Sequence, residues 1–373
     1  MKVVLSGVNL VEGGPLSVYR SAIKAFSKKD CQIVCLVNRS ELFQDLQSKN
    51  VQFIEFEYVK KSWCKRVFFE YFKSYFLSKK LKPDIWISLH DISPKICSGI
   101  EQYVYCHNAS PFYKPTLKDF IYSKKFFLFA LFYKYLYRVN IKANKAVITQ
   151  QSWFAKYFIE KGWVNRAIVA RPIDKFVPTR EGMSTVNDRS NKVVRGFYPT
   201  MPRTFKNIET IIEALKISPE IADKLEIIIT ISQDQSIYAR DLIESAKNIS
   251  NIIFVGYLDS SELNKYYSNS DFVLFPSKLE TWGLPISEAK LYRKDILLSD
   301  LAYAREALGD YGRAKFFNPE SVKELSDIFI QLVSGEEVFG SVKYVQEASE
   351  SFVTLGCWEE LADFLISHKN LSI

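Results

Sequence analysis

Short apolar runs alternate with amphipathic helical stretches along the first half of the chain, a pattern typical of βαβ units around a parallel sheet. The apolar runs predict strands at Val3–Val8, Gln32–Val37, Gln52–Phe56, Asp84–Leu89, Gln102–Cys106, Ala146–Thr149 and Ala167–Ala170. Helices are predicted near Ser17–Ser27, Trp63–Ser78, Leu117–Arg138 and Ser152–Glu160. The first run reads as a buried strand and not as a secretory signal, because it lacks a cationic start followed by a long apolar stretch.

A second series of the same kind follows a polar stretch. Residues Asp174 to Lys192 are rich in turn-forming and polar side chains, which indicates a linker. The strands predicted after it are Val193–Tyr198, Glu226–Ile231, Ile252–Val255, Phe272–Phe275, Ile296–Leu298 and Ala314–Phe317. We therefore expect an α/β protein with two doubly wound, Rossmann-like domains facing across a cleft. The predicted division is 1–173, a linker at 174–191, a second domain at 192–344, and a helical segment at 345–373 able to cross back to the first domain.

Length and composition agree with this organisation. A chain of 373 residues suits two domains better than one core. With 47% hydrophobic and 25% charged residues, it can bury a sizeable core, which excludes intrinsic disorder. The 6 cysteines form no C-x-x-C pair, so we expect reduced, buried thiols and no disulfide scaffold or zinc site.

The positive charge is concentrated in two aromatic windows. Residues 59–82 and 114–146 each carry eight Lys or Arg and one acid, so each is +7 in a chain of net charge +8. The longest uncharged run, Phe126 to Tyr133, is far short of the roughly 20 residues that span a bilayer. Such windows are typical of helices that lie on anionic lipid headgroups. Ordinary amphipathic helices remain a nearly equal alternative, and lysine interleaved with Phe and Tyr also suits nucleic acid.

The segment richest in candidate chemistry is FPSKLETWGLPISEA, residues 275–289. Gly283 permits close backbone approach, and Pro285 suits the first turn of a helix that contains Glu288. The free N–H groups at the start of such a helix bind phosphate. A carboxylate one turn further along accepts hydrogen bonds from hydroxyls. The segment therefore predicts a site for a phosphorylated, polyhydroxylated ligand.

This segment resembles the retaining glycosyltransferases of family 4, whose hallmark is E-x7-E within a string that ends G-L-P-x-x-E-A. The string from Glu280 to Glu288 reproduces it, and the G-L-P within makes the resemblance far more specific than E-x7-E alone. The family has the GT-B fold of two Rossmann-like domains. The resemblance implies that Glu280 holds the donor sugar and Glu288 the ribose hydroxyls. Backbone amides at Gly283 and Leu284 would hold the diphosphate.

Residues of the first domain extend the resemblance. Gly13 and Gly14 look like the family's glycine-rich turn, which faces the acceptor and the donor phosphates, although a plain βα turn has the same sequence. His107, at the end of a predicted strand, looks like the family's histidine near the transferred sugar. His90 ends the preceding strand and has no assigned role. Either histidine could instead be structural, and we expect His368 to be solvated.

The second domain supplies the expected cations. Lys206 matches the family's lysine, which with an arginine neutralises the departing diphosphate. Arg203 departs from the pattern, because the usual arginine stands five positions before the lysine, where this chain has Met201. Tyr257 resembles a residue of the loop that contacts the nucleobase. No Asp-x-Asp occurs, so we predict metal independence, and the absence of G-x-G-x-x-G disfavours a nicotinamide enzyme.

The resemblance implies a retaining, metal-independent glycosyltransferase with no cofactor. It would move a sugar from a UDP- or GDP-sugar to a lipid-linked saccharide in bacterial surface polysaccharide (O-antigen or capsule) biosynthesis. We expect a peripheral enzyme that contacts the anionic inner face of the cytoplasmic membrane through 59–82 and 114–146 and binds no nucleic acid. The alternatives are a GT-B enzyme with a soluble acceptor, an epimerase, and, more remotely, a non-enzymatic membrane or nucleic-acid scaffold.

Overall fold

The computed structural model describes residues 1–171, 193–345 and 351–367. The predicted linker at 174–191 and His368 lie outside the described residues. The chain divides into an N-terminal unit (Met1–Phe112, Phe129–Phe176 and Ala348–Ile373) and a C-terminal unit (Tyr113–Leu128 and Val177–Glu347). Residues 113–128 were predicted to belong to the first domain, whereas they group with the C-terminal unit.

The strands alternate with helices in both units. The first series is β1 Lys2–Ser6, β2 Gln32–Val37, β3 Val51–Glu55, β4 Ile85–Ser88, β5 Glu101–Cys106, β6 Ala146–Thr149 and β7 Ala167–Ala170. The second is β8 Val194–Tyr198, β9 Leu225–Ile229, β10 Ile252–Phe254, β11 Phe272–Phe275, β12 Asp295–Ser299, β13 Tyr311–Phe317 and β14 Gly340–Val342, and β15 Phe352–Leu355 follows. Every predicted strand overlaps one of these, while β14 and β15 were not predicted.

Thirteen α-helices lie in the described part of the chain. They are α1 Gly13–Ser27, α2 Trp63–Phe68, α3 Ser74–Leu81, α4 Leu117–Tyr122, α5 Lys124–Arg138, α6 Ser152–Glu160, α7 Ile208–Lys216, α8 Ile237–Ser245, α9 Ser260–Asn269, α10 Leu284–Leu291, α11 Ala302–Leu308, α12 Val322–Val333 and α13 Trp358–Ser367. None of them is long and apolar enough to cross a bilayer.

The N-terminal unit is built on an eight-stranded parallel sheet with the order β15-β7-β6-β5-β4-β1-β2-β3. Its strands are almost continuously apolar, because helices cover both faces of a parallel sheet. One core layer includes Tyr19 and Phe26 of α1 together with Trp358 of α13. The strand order reverses beside β1, between β4 and β2, so a topological switch point lies there.

The C-terminal unit has a seven-stranded sheet with the order β10-β9-β8-β11-β12-β13-β14. All neighbours are parallel except β14, which runs antiparallel to β13. The chain starts at β8, adds β9 and β10 on one side, and then places β11 on the other. The carboxyl ends of β8 and β11 therefore flank a switch point, where ligands bind in open α/β sheets.

Several element boundaries differ from those predicted. The helix expected at 63–78 is divided by a π-helical turn at Phe69–Lys73, between α2 and α3. The helix expected at 117–138 breaks at Ser123, whose hydroxyl accepts a hydrogen bond from the Phe126 amide and so starts α5. The segment expected to be helical from residue 345 contains a strand, β15, which pairs with β7, before α13. Helix α1 begins at Gly13 and not at Ser17.

The cysteine prediction is partly wrong. All six thiols are free, and Cys31, Cys35, Cys106 and Cys357 are buried as expected. Cys64 is exposed, since it lies in α2, which has no buried residue, and Cys97 is only half-buried.

Candidate functional site

The loops that follow β8 and β11 meet through an ion pair at the switch point of the C-terminal sheet. The ammonium of Lys206 contacts the carboxylate of Glu280, and the two side chains are only 16% and 17% exposed. The ammonium also lies 5.6 Å from the ring centroid of Phe275 and 5.8 Å from that of Phe205, within reach of cation–π attraction. Two residues 74 positions apart, both predicted from sequence, are thus brought together.

Hydrogen bonds between the two loops hold this pair in place. The buried Ser277 hydroxyl lies 3.0 Å from Glu280 Oε1. The amide of Lys278 donates to the carbonyl of Phe205 at 2.7 Å, which ties the Glu280 loop to the short 3₁₀ turn Thr204–Lys206. Lys206 is held from the other side, since Tyr198 of β8 donates its hydroxyl to the Lys206 carbonyl at 2.8 Å.

Helix α10 begins next to this pair because of Gly283. This residue has φ of +79°, and a Cβ there would lie 3.1 Å from side-chain carbons of both Phe275 and Ile286. Only glycine suits that combination of backbone and space. Leu284 and Pro285 form the first turn, where the backbone N–H groups have no partner within the helix. As predicted, the polar end of a helix lies just beyond the carboxyl end of β11.

Glu288 lies one turn into α10 and is partly buried. The hydroxyl of Tyr267 donates to its Oε2 at 2.5 Å. Burial raises the pKa of the Glu288 carboxyl, and the Tyr267 hydrogen bond opposes this effect. This hydrogen bond uses one of the two carboxylate oxygens.

Asn207 is a site-forming residue that was not predicted from the sequence. It is buried with φ of +57°, a left-handed conformation that asparagine tolerates better than most residues. Its side-chain amide donates to the carbonyls of Pro276 at 3.2 Å and Pro319 at 2.9 Å. Asn207 therefore joins the loops after β8, β11 and β13. The available signal was an asparagine directly before an apolar-periodic helix.

Two predicted binding residues lie at the same edge of the sheet but outside the ion pair. Tyr257 follows Gly256, which has φ of +73°, and its side chain is 85% exposed. Arg203 is exposed and starts the turn of Lys206, whose amide donates to the Arg203 carbonyl at 2.9 Å. Met201, at the position of the usual arginine, is also exposed.

In the N-terminal unit, Asp91 orients the backbone of His107. Asp91 follows β4 with φ of +68°, and its Oδ1 accepts the His107 amide hydrogen at 2.8 Å. Its Oδ2 lies 4.0 Å from His107 Nε2. Burial lowers the pKa of the His107 imidazole, although Asp91 acts in the opposite direction. The ring is therefore neutral at neutral pH.

His90 is engaged by protein side chains on both sides of its ring. Its Nδ1 lies 3.0 Å from Glu70 Oε1, its Nε2 lies 3.3 Å from the Ser6 hydroxyl, and its side chain is 1% exposed. These contacts favour a structural role for His90. Gly13 starts α1 with φ of +64°, and open space surrounds Gly14. The described residues contain no group of three His, Cys, Asp or Glu side chains that could hold a metal ion.

The two basic aromatic windows differ in surroundings. Phe68, Phe72 and Phe76, spaced four apart between the start of α2 and the end of α3, are 53%, 58% and 64% exposed. Phe68 and Phe72 stack with centroids 5.5 Å apart. The window 114–146 is divided between the units, because residues up to Leu128 belong to the C-terminal unit.

Residues 186–350 match the family model described as glycosyl transferases group 1. An uncharacterized 41.2 kDa protein from the cps region of Klebsiella pneumoniae is 30% identical over 78 residues. That match spans 21% of this chain and 22% of the Klebsiella protein, so the chain covers about a fifth of this relative.

Solved structures resemble the chain over most of its length. Sucrose-phosphate synthase from Thermosynechococcus elongatus superposes with a TM-score of 0.62 at 14% identity, covering 90% of each chain. The lipopolysaccharide outer core galactosyltransferase WaaB gives 0.58 at 12% identity, covering 90% of this chain and 91% of the other. Anabaena HepE in complex with UDP and glucose gives 0.58 at 13% identity, covering 89% and 90%.

These likenesses agree with the two parallel-dominated sheets described above. The predicted α/β class is confirmed, and the family resemblance rests on the part of the chain that carries the ion pair and α10. Residues 186–350 therefore resemble the glycosyl transferases group 1, in a chain that has the GT-B fold.

Proposed function

We propose that this protein is a retaining, metal-independent glycosyltransferase that needs no cofactor. It moves a sugar from a UDP- or GDP-sugar to a lipid-linked saccharide in bacterial surface polysaccharide biosynthesis. The observation that carries the proposal is the Lys206–Glu280 ion pair beside the start of α10, at the switch point of a unit that matches a glycosyltransferase family.

In this proposal the cation and the backbone amides bind the diphosphate, and the two carboxylates bind the hydroxyl groups of the donor. Lys206, assisted by Arg203, neutralises the donor diphosphate as negative charge develops on it during departure. The amides of Gly283 and Leu284 bind the same phosphates, Glu280 binds the sugar, and the carboxylate of Glu288 accepts from the ribose hydroxyls. An ammonium within a largely buried site can take the role that a divalent cation has in other transferases.

The acceptor side is assigned to the N-terminal unit. His107 is neutral, so its ring can both donate and accept a hydrogen bond near the transferred sugar. Its backbone is fixed by Asp91, which favours a precise position over a mobile one. Gly13 and Gly14 leave room for a ligand at the start of α1.

Two of the similar proteins support a surface polysaccharide as the product. The name of the Klebsiella relative places it in a cps region, and WaaB is a lipopolysaccharide outer core galactosyltransferase. HepE binds UDP and glucose, which supports a nucleotide-sugar donor for this chain as well.

The exposed phenylalanines between α2 and α3 support contact with a membrane. Soluble monomers rarely expose apolar surface of this kind, and the same stretch of chain carries four exposed lysines, Lys65, Lys73, Lys79 and Lys80. Lysines attract the anionic headgroups of a bilayer, and aromatic rings among them can insert into the apolar layer below. We therefore place the enzyme on the inner face of the cytoplasmic membrane, where nucleotide sugars and lipid-linked acceptors meet.

Vesicle binding tests the membrane part. We expect the protein to co-sediment with phosphatidylglycerol vesicles at low salt. The double substitution Phe72→Ser, Phe76→Ser should reduce the bound fraction by about threefold or more, since two aromatic rings that the bilayer buries contribute well over 1 kcal/mol to binding. Ile237→Ser, which removes an equally exposed apolar side chain in the C-terminal unit, should bind as wild type does. Equal binding by all three proteins would contradict the assignment of this surface.

A transfer assay tests the activity itself. Labelled UDP- and GDP-sugars are incubated with the protein and bacterial membranes in EDTA, and the organic-extractable lipid is separated from the aqueous phase. Label in the lipid phase that disappears with Lys206→Ala supports the proposal. Label in a soluble saccharide would favour the soluble-acceptor alternative, and sugar-nucleotide turnover without transfer would favour the epimerase.

A further inference from the structure

Residues 113–128, here called the 113–128 segment, belong to the same compact unit as the Lys206–Glu280 pair. The segment contains α4 and the first turn of α5. Nothing in its sequence indicates this placement, since it lies far before Lys206 in the chain and reads as part of a membrane-facing window. Specific contacts must therefore attach it to the C-terminal unit.

Burial of apolar side chains is not the main attachment of α4. Leu117 and Ile121 are 74% and 65% exposed, and Phe120 is also exposed. The polar side chains of the helix make contacts instead. Lys118 Nζ lies 2.8 Å from Glu209 Oε1, and the Tyr122 hydroxyl lies 2.8 Å from Asp241 Oδ2, but both of these contacts are exposed to solvent and so are weak.

Asp119 makes the buried contact. Its side chain is fully buried, and its Oδ2 accepts from the Thr116 amide at 2.6 Å and the Thr116 hydroxyl at 2.7 Å. Its Oδ1 accepts a hydrogen bond from the Thr204 hydroxyl. Tyr113 contacts the same carboxylate. The pKa of the Tyr113 hydroxyl is raised, mainly by burial and to a smaller extent by the negative charge of Asp119. A buried carboxylate persists only where donors satisfy it, so this set of contacts is specific.

Thr204 is the first residue of the turn that carries Lys206. The middle residue, Phe205, packs against Tyr113 and Phe126 of the segment, with ring centroids 6.3 Å and 5.4 Å apart. The Phe205 carbonyl accepts from the Lys278 amide in the loop of Glu280. The 113–128 segment therefore contacts the first two residues of a three-residue turn, and the third residue, Lys206, makes the ion pair.

We propose that Asp119 is a positioning residue for Lys206. By accepting the Thr204 hydrogen bond, it fixes the turn so that the ammonium reaches the donor diphosphate without first being ordered. This inference rests on the proposed function, because it assigns to Lys206 the role of binding the diphosphate. It differs from ordinary packing, which would contribute to stability and leave the affinity of the folded protein unchanged.

The test removes the hydrogen bond without removing the buried carboxylate. Thr204→Val deletes the hydroxyl at nearly constant volume, and Thr204→Ser restores it. UDP and GDP are titrated calorimetrically well below the melting temperature, and the KM for the donor is measured separately from kcat. For the diphosphate that binds, we expect Thr204→Val to raise the Kd about 3- to 10-fold, the range that one net hydrogen bond supports, and to raise the donor KM similarly. Thr204→Ser should stay within about twofold of wild type. If the valine protein folds poorly, Thr204→Ala, which also lacks the hydroxyl, should raise the Kd and the donor KM in the same way.

Two control variants separate the possible failures. Lys118→Ala breaks an exposed ion pair of the same helix and should leave the Kd unchanged, whereas Lys206→Ala should abolish binding. Wild-type Kd and KM in a folded protein without the Thr204 hydroxyl, whether Thr204→Val or Thr204→Ala, with no binding by Lys206→Ala, would overturn the inference and leave the proposed function standing. Unchanged binding in Lys206→Ala would overturn the proposed function, and the inference with it.

Discussion

The ion pair between Lys206 and Glu280 makes an unusual prediction for Glu280→Gln: the variant should bind the free nucleoside diphosphate more tightly than wild type while transferring less sugar. The ammonium is already neutralised by the carboxylate, and both side chains are mostly buried. An incoming diphosphate must share Lys206 with an anion. Glutamine keeps the shape and can still accept from Ser277, but it removes the charge.

The magnitude follows from Coulomb's law. An ammonium that bridges two anions keeps them about 6 Å apart, where like unit charges repel by about 3 kcal/mol at an effective dielectric constant near 20. Partial exposure and reorganisation of Lys206 reduce this by about half, to about 1.4 kcal/mol, which is roughly a tenfold lower Kd. Glutamine also weakens the interaction with the donor sugar, which should lower kcat by about 100-fold, the usual cost of removing one group that stabilises the transition state.

Calorimetric titration of UDP and GDP, together with donor kinetics, checks both numbers. Glu226→Gln is the matched control, because Glu226 pairs with Arg195 at 3.1 Å near the amino-terminal ends of β9 and β8, at the opposite edge of the same sheet. It should change neither Kd nor kcat. A Glu280→Gln protein that binds the diphosphate less tightly than wild type would refute the reasoning, since it would mean that the carboxylate helps to hold the phosphates.

Two other predictions concern α10. Burial raises the pKa of Glu288, so the folded protein holds this proton more tightly than the unfolded chain does. The free energy of unfolding should therefore fall as the pH rises from the ordinary glutamate pKa through the folded pKa. Below the ordinary pKa the carboxyl is protonated in both states, and this loss of stability is absent. Glu288→Gln should therefore gain in melting temperature relative to wild type between about pH 4 and pH 8, and a difference that stays constant over this range would contradict the assignment. Gly283→Ala should cost about 2 kcal/mol, from positive φ and a tight contact with Phe275, and should also weaken diphosphate binding. The matched change Gly312→Ala meets open space and should leave the melting temperature close to that of wild type; equal effects of the two alanines would contradict the steric role of Gly283.

The regular part of the fold was predictable because its signal is local. Buried parallel strands need continuous apolar runs, and each predicted run overlaps an observed strand. The order of those strands was not in the pattern, and neither was β15, whose four residues become a strand only by pairing with β7, far earlier in the chain. Tertiary pairing overrode a segment that reads as helical.

The site shows the same division. Glu280, Gly283 and Glu288 were predictable because one continuous segment carries them, and Lys206 because it follows a strand of the same sheet. Asn207 and Asp91 were missed, since their roles depend on left-handed backbone conformations and on carbonyls or amides from other loops. Asp119 was counted only as a lone acid among lysines, because its partner Thr204 is 85 positions away.

The most direct test of the central claim is a thermal-shift panel of UDP, GDP, ADP and CMP, with magnesium and with EDTA, on wild type and Lys206→Ala. A ligand that binds only the folded state raises the melting temperature by mass action, by an amount set by the ratio of its concentration to its Kd. We predict that UDP or GDP stabilises the wild type equally with and without metal and leaves Lys206→Ala unchanged. Stabilisation by none of the four, or equal stabilisation of both proteins, would contradict a donor site at the Lys206–Glu280 pair.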